Sequence, residues 1–211
     1  MAVNTAKTRQ VIVAMTGASG AAYGLRLIQS LHVAGVELHL IFSDAARIVL
    51  LQECDLSLPE DPAAAQLVLI ERLALSEADR VHTYGLKDWF SPAASGSSGI
   101  CQMVVAPCSM GTLARIAQGM SENLIERAAD VMLKEKGQLI LMPRETPLSA
   151  IHLQHMLSLA TLGVEIIPAM PAFYHRPQSI AELQAFMVER VLDHLHIAQE
   201  NIQRWGISND R

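Results

Sequence analysis

At 211 residues the chain is most simply one domain, long enough to bury a substantial core. A formal charge of −5 and the absence of a basic cluster exclude a nucleic-acid binder of the usual electrostatic kind. The composition is 51% apolar but only 4% aromatic, with a mean hydropathy of +0.26, yet no apolar run is long enough to span a bilayer. The surplus apolar surface is therefore expected to lie between subunits, because obligate interfaces resemble a divided core.

Met1 to Lys7 shows no apolar signal region ahead of the first strand, so no export signal is expected. The three cysteines, Cys54, Cys101 and Cys108, cannot all pair, and their spacing matches no metal framework. They read as reduced thiols of a cytoplasmic protein.

In chain order, residues 10–15 read as a buried strand and 20–34 as a helix ended by Gly35. Between them, Thr16-Gly-Ala-Ser-Gly20 forms a small-residue corner. Such a corner aims backbone N–H groups, a helix N-terminus and two hydroxyls at one spot, which suits a phosphate. It lacks the third glycine of the dinucleotide fingerprint and the lysine of a P-loop. Val36 to Phe42 reads as a second strand, followed by Ser43 as the cap of a helix over 44–52. Residues 55–63 read as a surface loop, 64–78 as a helix and 81–85 as a short strand. By composition, 91–99 is a flexible connector.

Gln102 to Pro107 is a nearly continuous apolar run, as expected of a parallel strand buried on both faces. Cys108-Ser-Met-Gly-Thr112 opens a helix to Gln118, and Asn123 caps another over 124–136. A strand over 138–142 ends at Pro143-Arg-Glu-Thr-Pro147. Ser149 caps a helix through Leu162, and 164–167 is the last strand. A Pro-rich loop over 168–177 precedes a helix from Ser179 to about Leu195 and a tail, 196–211. Strands alternate with helices throughout, without an internal repeat. The expected fold is α/β, a three-layer, doubly wound, mostly parallel sheet in a single domain spanning 1–211.

In such sheets ligands lie beyond the carboxyl ends of the strands. Thr16 to Gly20, Ser43 and Ser109 to Thr112 fall there, and together would make a neutral, donor-rich cradle. The cradle has no acids to hold Mg²⁺. Glu37, the acid nearest the spacing needed to grip a ribose, reads as surface. Flavin mononucleotide (FMN) fits better than NAD. Arg127 and Lys134 share a helix face with Asp130 between them, which reads as a surface salt-bridge ladder. Arg144 follows a strand at the ligand-facing edge. Arg190 borders the apolar face of its helix, where a charge needs a partner. Glu53 ends an apolar helix, an unfavourable place for an anion unless it has a special task. Glu145 reads as an ordinary neighbour of Arg144, and Tyr174 as a lid phenol or packing. His152 and His155 have no third ligand at suitable spacing, so no metal site is expected.

Taken together, the stretches Thr16-Gly-Ala-Ser-Gly-Ala21 with Tyr23-Gly24, Pro92-Ala-Ala-Ser-Gly-Ser97, Pro107-Cys-Ser-Met-Gly-Thr112, Asn123-Leu-Ile-Glu-Arg-Ala-Ala-Asp130, Leu133-Lys-Glu135, Pro143-Arg-Glu-Thr-Pro147 and Pro171-Ala-Phe-Tyr174 resemble the flavin prenyltransferases. The resemblance runs from Val11 to about Trp205. It implies a Rossmann-like flavoprotein that transfers a dimethylallyl group from dimethylallyl monophosphate to N5 and C6 of reduced FMN, without metal. It further implies a trimer-based dodecamer with the site at a subunit boundary, and delivery of prenylated FMN to a separate decarboxylase, in many bacteria one serving ubiquinone synthesis. Carried over by position, Gly17, Ala18, Ser19, Ser43, Ser109, Met110, Gly111, Thr112 and Arg144 look like FMN contacts. Tyr174 and Arg190 look like donor contacts, and Gly96, Arg127, Lys134 and Glu145 match positions around the donor phosphate. Ser19 and Glu53 match positions near flavin N5. Trp205 matches an aromatic at the site entrance, in the tail. Under this resemblance residues 95–98 become a pocket wall.

Two other readings stay open on the residues alone. One is an FMN-dependent decarboxylase of cysteinyl substrates, although Val49 to Asp55 lacks the histidine those enzymes use. The other is a non-enzymatic flavin carrier.

Overall fold

The computed structural model describes residues 8–198. Its central strand, β1 (Gln10–Met15), is buried from Val11 onward. Successive strand side chains point to opposite faces, so a strand of this composition requires cover on both. Val11, Val13 and Met15 enter one apolar cluster, Ile12 and Ala14 the other. β1 pairs in parallel with β2 (Glu37–Phe42) on one side and β4 (Gln102–Cys108) on the other; β3 (Val81–Tyr84) lies beyond β2, while β5 (Gln138–Pro143) and β6 (Glu165–Ile166) lie beyond β4. The order is β3-β2-β1-β4-β5-β6, so the winding direction reverses between β1 and β4. Beyond the carboxyl ends of that pair lies the crevice where such folds bind ligands.

Helices α1 (Ala21–Val33), α2 (Asp44–Cys54), α3 (Pro62–Leu73) and α7 (Ile180–His194) cover one face. Helices α4 (Met110–Ala117), α5 (Leu124–Glu135) and α6 (Ala150–Thr161) cover the other. The caps at Ser43, Asn123 and Ser149 form as the sequence predicts, and Ser179 also caps the helix it opens, each side chain accepting a first-turn N–H. The helix expected over 64–78 instead starts at Pro62, capped by Asp61, and stops at Leu73 because Ala74 turns left-handed (φ 51°). The last strand contracts to two residues.

Residues 91–99 are not the flexible connector their composition suggests. They form two short 3₁₀ turns, Pro92–Ala94 and Gly96–Ser98, with Ala93 and Ala94 buried and Arg127 of α5 donating to the Ala94 carbonyl at 3.0 Å. Glu37 also departs from expectation. It accepts from the Gln10 amide at 2.9 Å and lies 3.1 Å from His82 Nε2, so its carboxylate is tied into the sheet rather than left in solvent.

That carboxylate borders a buried histidine. His39 is 3% exposed and lies 2.9 Å from the Tyr84 hydroxyl, its ring stacked between those of His82 and Tyr84. Burial first, and then the adjacent His82, push its pKa down to about 4, against the opposing pull of Glu37. The unfolded chain takes up a proton near pH 6.5 that the folded chain refuses, so stability falls as pH drops through that window. We expect denaturation curves to show roughly 2 kcal/mol lost through this group between pH 7 and pH 5, and His39→Gln to show a correspondingly smaller loss. Equal losses in the two proteins would contradict this account.

Candidate active site

At the β1/β4 junction, Thr16 directs both its N–H (3.2 Å) and its hydroxyl (3.0 Å) to the Pro107 carbonyl, and its Oγ1 accepts the Ser109 N–H at 2.7 Å. Thr16 is 2% exposed. Its hydroxyl is therefore committed inside the protein, which corrects the expectation that it faces a phosphate beside Ser19. The three small-residue corners do abut. Ser43 N–H donates to the Met15 carbonyl at 3.0 Å. A Cβ on Gly17 would lie 2.4 Å from that of Ala45, so only glycine lets the first corner pass this close to α2.

The N-terminus of α1 holds a second correction. Its cap residue, Gly20 (φ 107°), has no side chain to offer. The carboxylate of Glu53, from the end of α2, takes that role, accepting the N–H groups of Gly20 (2.8 Å) and Ala21 (2.9 Å). The anion that looked misplaced on its own helix sits in the favourable field of another. Burial pushes the Glu53 carboxyl up. The Ser19 hydroxyl, the Ala21 and Gly20 N–H groups and the Arg144 cation outweigh it, holding the group below the ordinary carboxylate range. Arg144 is fixed in turn by donating from Nε to the Ser19 carbonyl at 3.2 Å. The anion position at α1 is thus filled by the protein's own carboxylate.

The N-terminus of α4 is left open. Ser109 Oγ accepts the Thr112 N–H at 3.3 Å, and its proton goes to Thr112 Oγ1 at 3.1 Å, leaving the Thr112 hydroxyl proton to donate outward. Ser43 Oγ accepts the Ala46 N–H at 3.0 Å and likewise keeps its proton. A Cβ on Gly111 would meet nothing within 4 Å, whereas Met110 and Ala18 are buried and present backbone only. First-turn N–H groups lack partners within their helix. Open space, free donors and no acid make a cradle that fits a phosphomonoester.

Between the N-termini of α1 and α7 runs a cavity of about 380 Å³. Ser19, Glu53 and Arg144 form its charged wall, and Tyr23, Ala169, Ile180 and Leu183 its apolar one. Of this apolar wall the sequence pointed to Tyr23 alone, in the Tyr23-Gly24 stretch, and not to Ala169, Ile180 or Leu183. Tyr23 lies three residues after Gly20 in the first turn of α1, at a strand–helix corner; Leu183 stands at the start of α7, separated from β6 by a long loop, and carried no such signal.

The profile of the Flavoprotein family matches residues 2–192. Over 197 residues the chain is 49% identical to the flavin prenyltransferase UbiX of Pseudomonas aeruginosa, covering 93% of this chain and 94% of that one. The chain belongs to the flavin prenyltransferase family. Among solved structures of this family, AnUbiX (PadA1) in complex with FMN and dimethylallyl pyrophosphate is 39% identical with a TM-score of 0.81, covering 94% of this chain and 100% of its own. A dodecameric FMN-dependent UbiX-like decarboxylase of Escherichia coli O157:H7 is 38% identical with a TM-score of 0.80, covering 93% and 98%.

Not every residue that this family membership brings to mind lines the cavity. Arg127 is paired with Asp130 at 2.9 Å, as the salt-bridge reading expected, whereas Lys134 pairs with its neighbour Glu135 instead of continuing the ladder through Asp130. Gly96 packs on Glu135, where a Cβ would fall 2.4 Å from Oε1, so Arg127, Lys134 and Gly96 share one surface along α5. Arg190 lines a separate cleft of about 270 Å³ with Gln138 and Glu165, at the edge where β5 and β6 begin, opposite the strand ends that carry Arg144. It lies 3.6 Å from Asp193. Glu145 accepts the Thr146 N–H at 3.0 Å beside Arg144 in the chain. Tyr174 is 47% exposed on the loop before α7. Trp205 and the tail beyond residue 198 lie outside the described residues. Among the described residues no three His, Cys, Asp or Glu side chains gather as a metal site, and no helix is long and apolar enough to cross a membrane.

Because the Glu53 carboxyl is lowered on folding, its contribution is present above its unfolded value of 4.5 and is lost as pH falls through the lower folded value. Glu53→Gln should therefore destabilise the protein by about 1 kcal/mol at pH 7, the scale of a lost helix cap. Denaturation at a series of pH values should show the gap closing below pH 4.5. A gap that stays constant would mean the charge at α1 is irrelevant.

Proposed function

We propose that this chain transfers a dimethylallyl group from dimethylallyl monophosphate to reduced FMN, forming bonds at flavin N5 and C6 and releasing phosphate. The observation that carries the reading is the donor-rich, acid-free cradle at α4 beside the Ser19–Glu53–Arg144 wall, in a chain 49% identical over nearly its full length to a flavin prenyltransferase. Bound FMN would supply N5 and C6 as nucleophilic centres. Its phosphate would be held by Ser43, Ser109, the backbone of Met110 and Gly111, and Thr112, with Gly17, Ala18 and Arg144 flanking the rest.

Cleaving an allylic C–O bond without metal leaves an allyl cation and a phosphate. Arg127, Lys134 and Arg190, with Tyr174 and the close-packed Gly96, would hold that phosphate as charge grows on it. The apolar wall would exclude the water that traps such a cation. Ser19 hands its hydroxyl proton to an ionised Glu53, a pair suited to moving a proton near N5. Once N5 is alkylated the prenyl group is a neutral alkene, so it would have to take up a proton, such as the one N5 gives up, before C6 could attack it; Glu145 or the released phosphate would then accept the proton that C6 loses. Trp205 would close the entrance.

Within one chain the α5 cations and Arg190 stand apart from the cavity, so this reading requires further copies to present them. It therefore includes a homo-oligomer, a trimer-based dodecamer with sites at subunit boundaries; the relative from Escherichia coli O157:H7 is described as dodecameric. We place the protein in the cytoplasm, which suits three unpaired cysteines. Its product would go to a prenylated-FMN-dependent decarboxylase, in the ubiquinone pathway.

Purified protein given FMN, a reductant and dimethylallyl monophosphate should raise the flavin mass by one prenyl unit; an unchanged mass would refute the activity. In the same assay Arg127→Ala and Arg144→Ala should each be inactive. Chains of the two variants assembled together should recover about a quarter of wild-type turnover, the share of boundaries that pair two intact halves. No recovery would place both residues in one chain's site.

A further inference from the structure

The loop after β6 is held at both ends. Ala169 N–H donates to the Pro143 carbonyl at 3.0 Å, and Gln178 N–H to Glu182 of α7 at 2.7 Å. Tyr174 lies between these anchors, and two rings brace it there. His175 stacks on Phe186 with centroids 5.1 Å apart and planes 9° from parallel. Tyr174 stands edge-on to both, at 5.6 Å and 80° to His175 and 5.9 Å and 83° to Phe186. Phe186 is fixed from below, since it packs against the core cluster under α7. The stack thus passes the rigidity of a helix to a half-exposed loop residue.

The imidazole is an unusual choice for this place. Both its ring nitrogens are shut off from solvent, and neither has a hydrogen-bond partner among the described residues. A buried polar atom without a partner opposes folding, so it is the flat shape of the ring that the fold uses here. Burial raises the nearby Glu189 carboxyl; Arg26 and His175 pull it down and Asp193 pushes it up.

We propose that His175, stacked on Phe186, is the positioning residue that fixes the Tyr174 phenol for the phosphate of the prenyl donor. This rests on the reading of Tyr174 as a donor contact. His175 itself touches neither donor nor flavin, and acts through the edge-on contact that limits the tilt of the Tyr174 ring.

The test is steady-state kinetics with dimethylallyl monophosphate, alongside FMN affinity and thermal melting. His175→Ala should raise the KM for the donor about tenfold, the scale that aromatic pairs carry. The kcat at saturation and the affinity for FMN should stay within about twofold. His175→Phe should restore KM and melt at a higher temperature than wild type, because it keeps the stack and removes two orphaned nitrogens. Phe186→Ala should raise KM similarly, and the double variant should add little to either. If His175→Phe is as impaired as His175→Ala, the nitrogens act directly and the proposal is overturned. If Tyr174→Phe raises KM but His175→Ala does not, the donor contact stands and the positioning role fails. If Tyr174→Phe leaves KM unchanged, the donor contact itself fails, and the proposal with it.

Discussion

The site depends on a single hydroxyl. Thr16 follows the central strand directly, and its Oγ1 both donates to the carbonyl of Pro107 and accepts the N–H of Ser109. These bonds lock the ends of β1 and β4 at the point where the sheet reverses its winding. The turn that follows β1 and the helix that follows β4 then start from fixed places on either side of one crevice. That joint ties the first corner directly to the start of the α4 cradle.

From this arrangement comes a division of labour between two helix N-termini. The dipole and unpaired N–H groups make each one an anion site. At α1 the anion is built in. Glu53 satisfies Gly20 and Ala21, is held ionised by Ser19 and Arg144, and so puts a proton-accepting group on the wall of the cavity. At α4 the cap is a neutral serine whose hydroxyl passes its donor capacity on to Thr112, leaving the helix end available to a ligand. Two copies of the same local motif are thereby given opposite charge preferences by one side chain from α2. In the proposed reading a dianionic phosphate would be repelled by Glu53 at the first and accepted at the second.

What was legible in the sequence was local. Strand burial, the caps at Ser43, Asn123 and Ser149, and the Arg127–Asp130 pair all follow from periodicity or from partners three or four residues away. The joint at Thr16 was not legible, because its partners lie more than ninety positions downstream and a small hydroxyl at a turn has many uses. Glu53 looked misplaced because a helix dipole argument sees its own helix and not the neighbour that receives it. Residues 91–99 show a different ambiguity. Glycine and serine are chosen equally for slack and for close approach, and here Gly96 serves close approach to Glu135. Arg190 marks a further limit: a match in sequence suggests a role without saying which pocket the residue lines, and here it lines the cleft with Gln138 and Glu165.

The central claim is that the flavin phosphate is anchored at α4 while the charged end of the crevice serves the reacting ring. The most direct measurement is the ratio of FMN to riboflavin affinity, because the two ligands differ only in that phosphate. The account predicts a strong preference for FMN that Ser109→Ala with Thr112→Val reduces by more than about tenfold, while Glu53→Gln leaves the ratio unchanged. A preference that survives the double substitution but collapses in Glu53→Gln would contradict it, and would return the phosphate to the corner at α1.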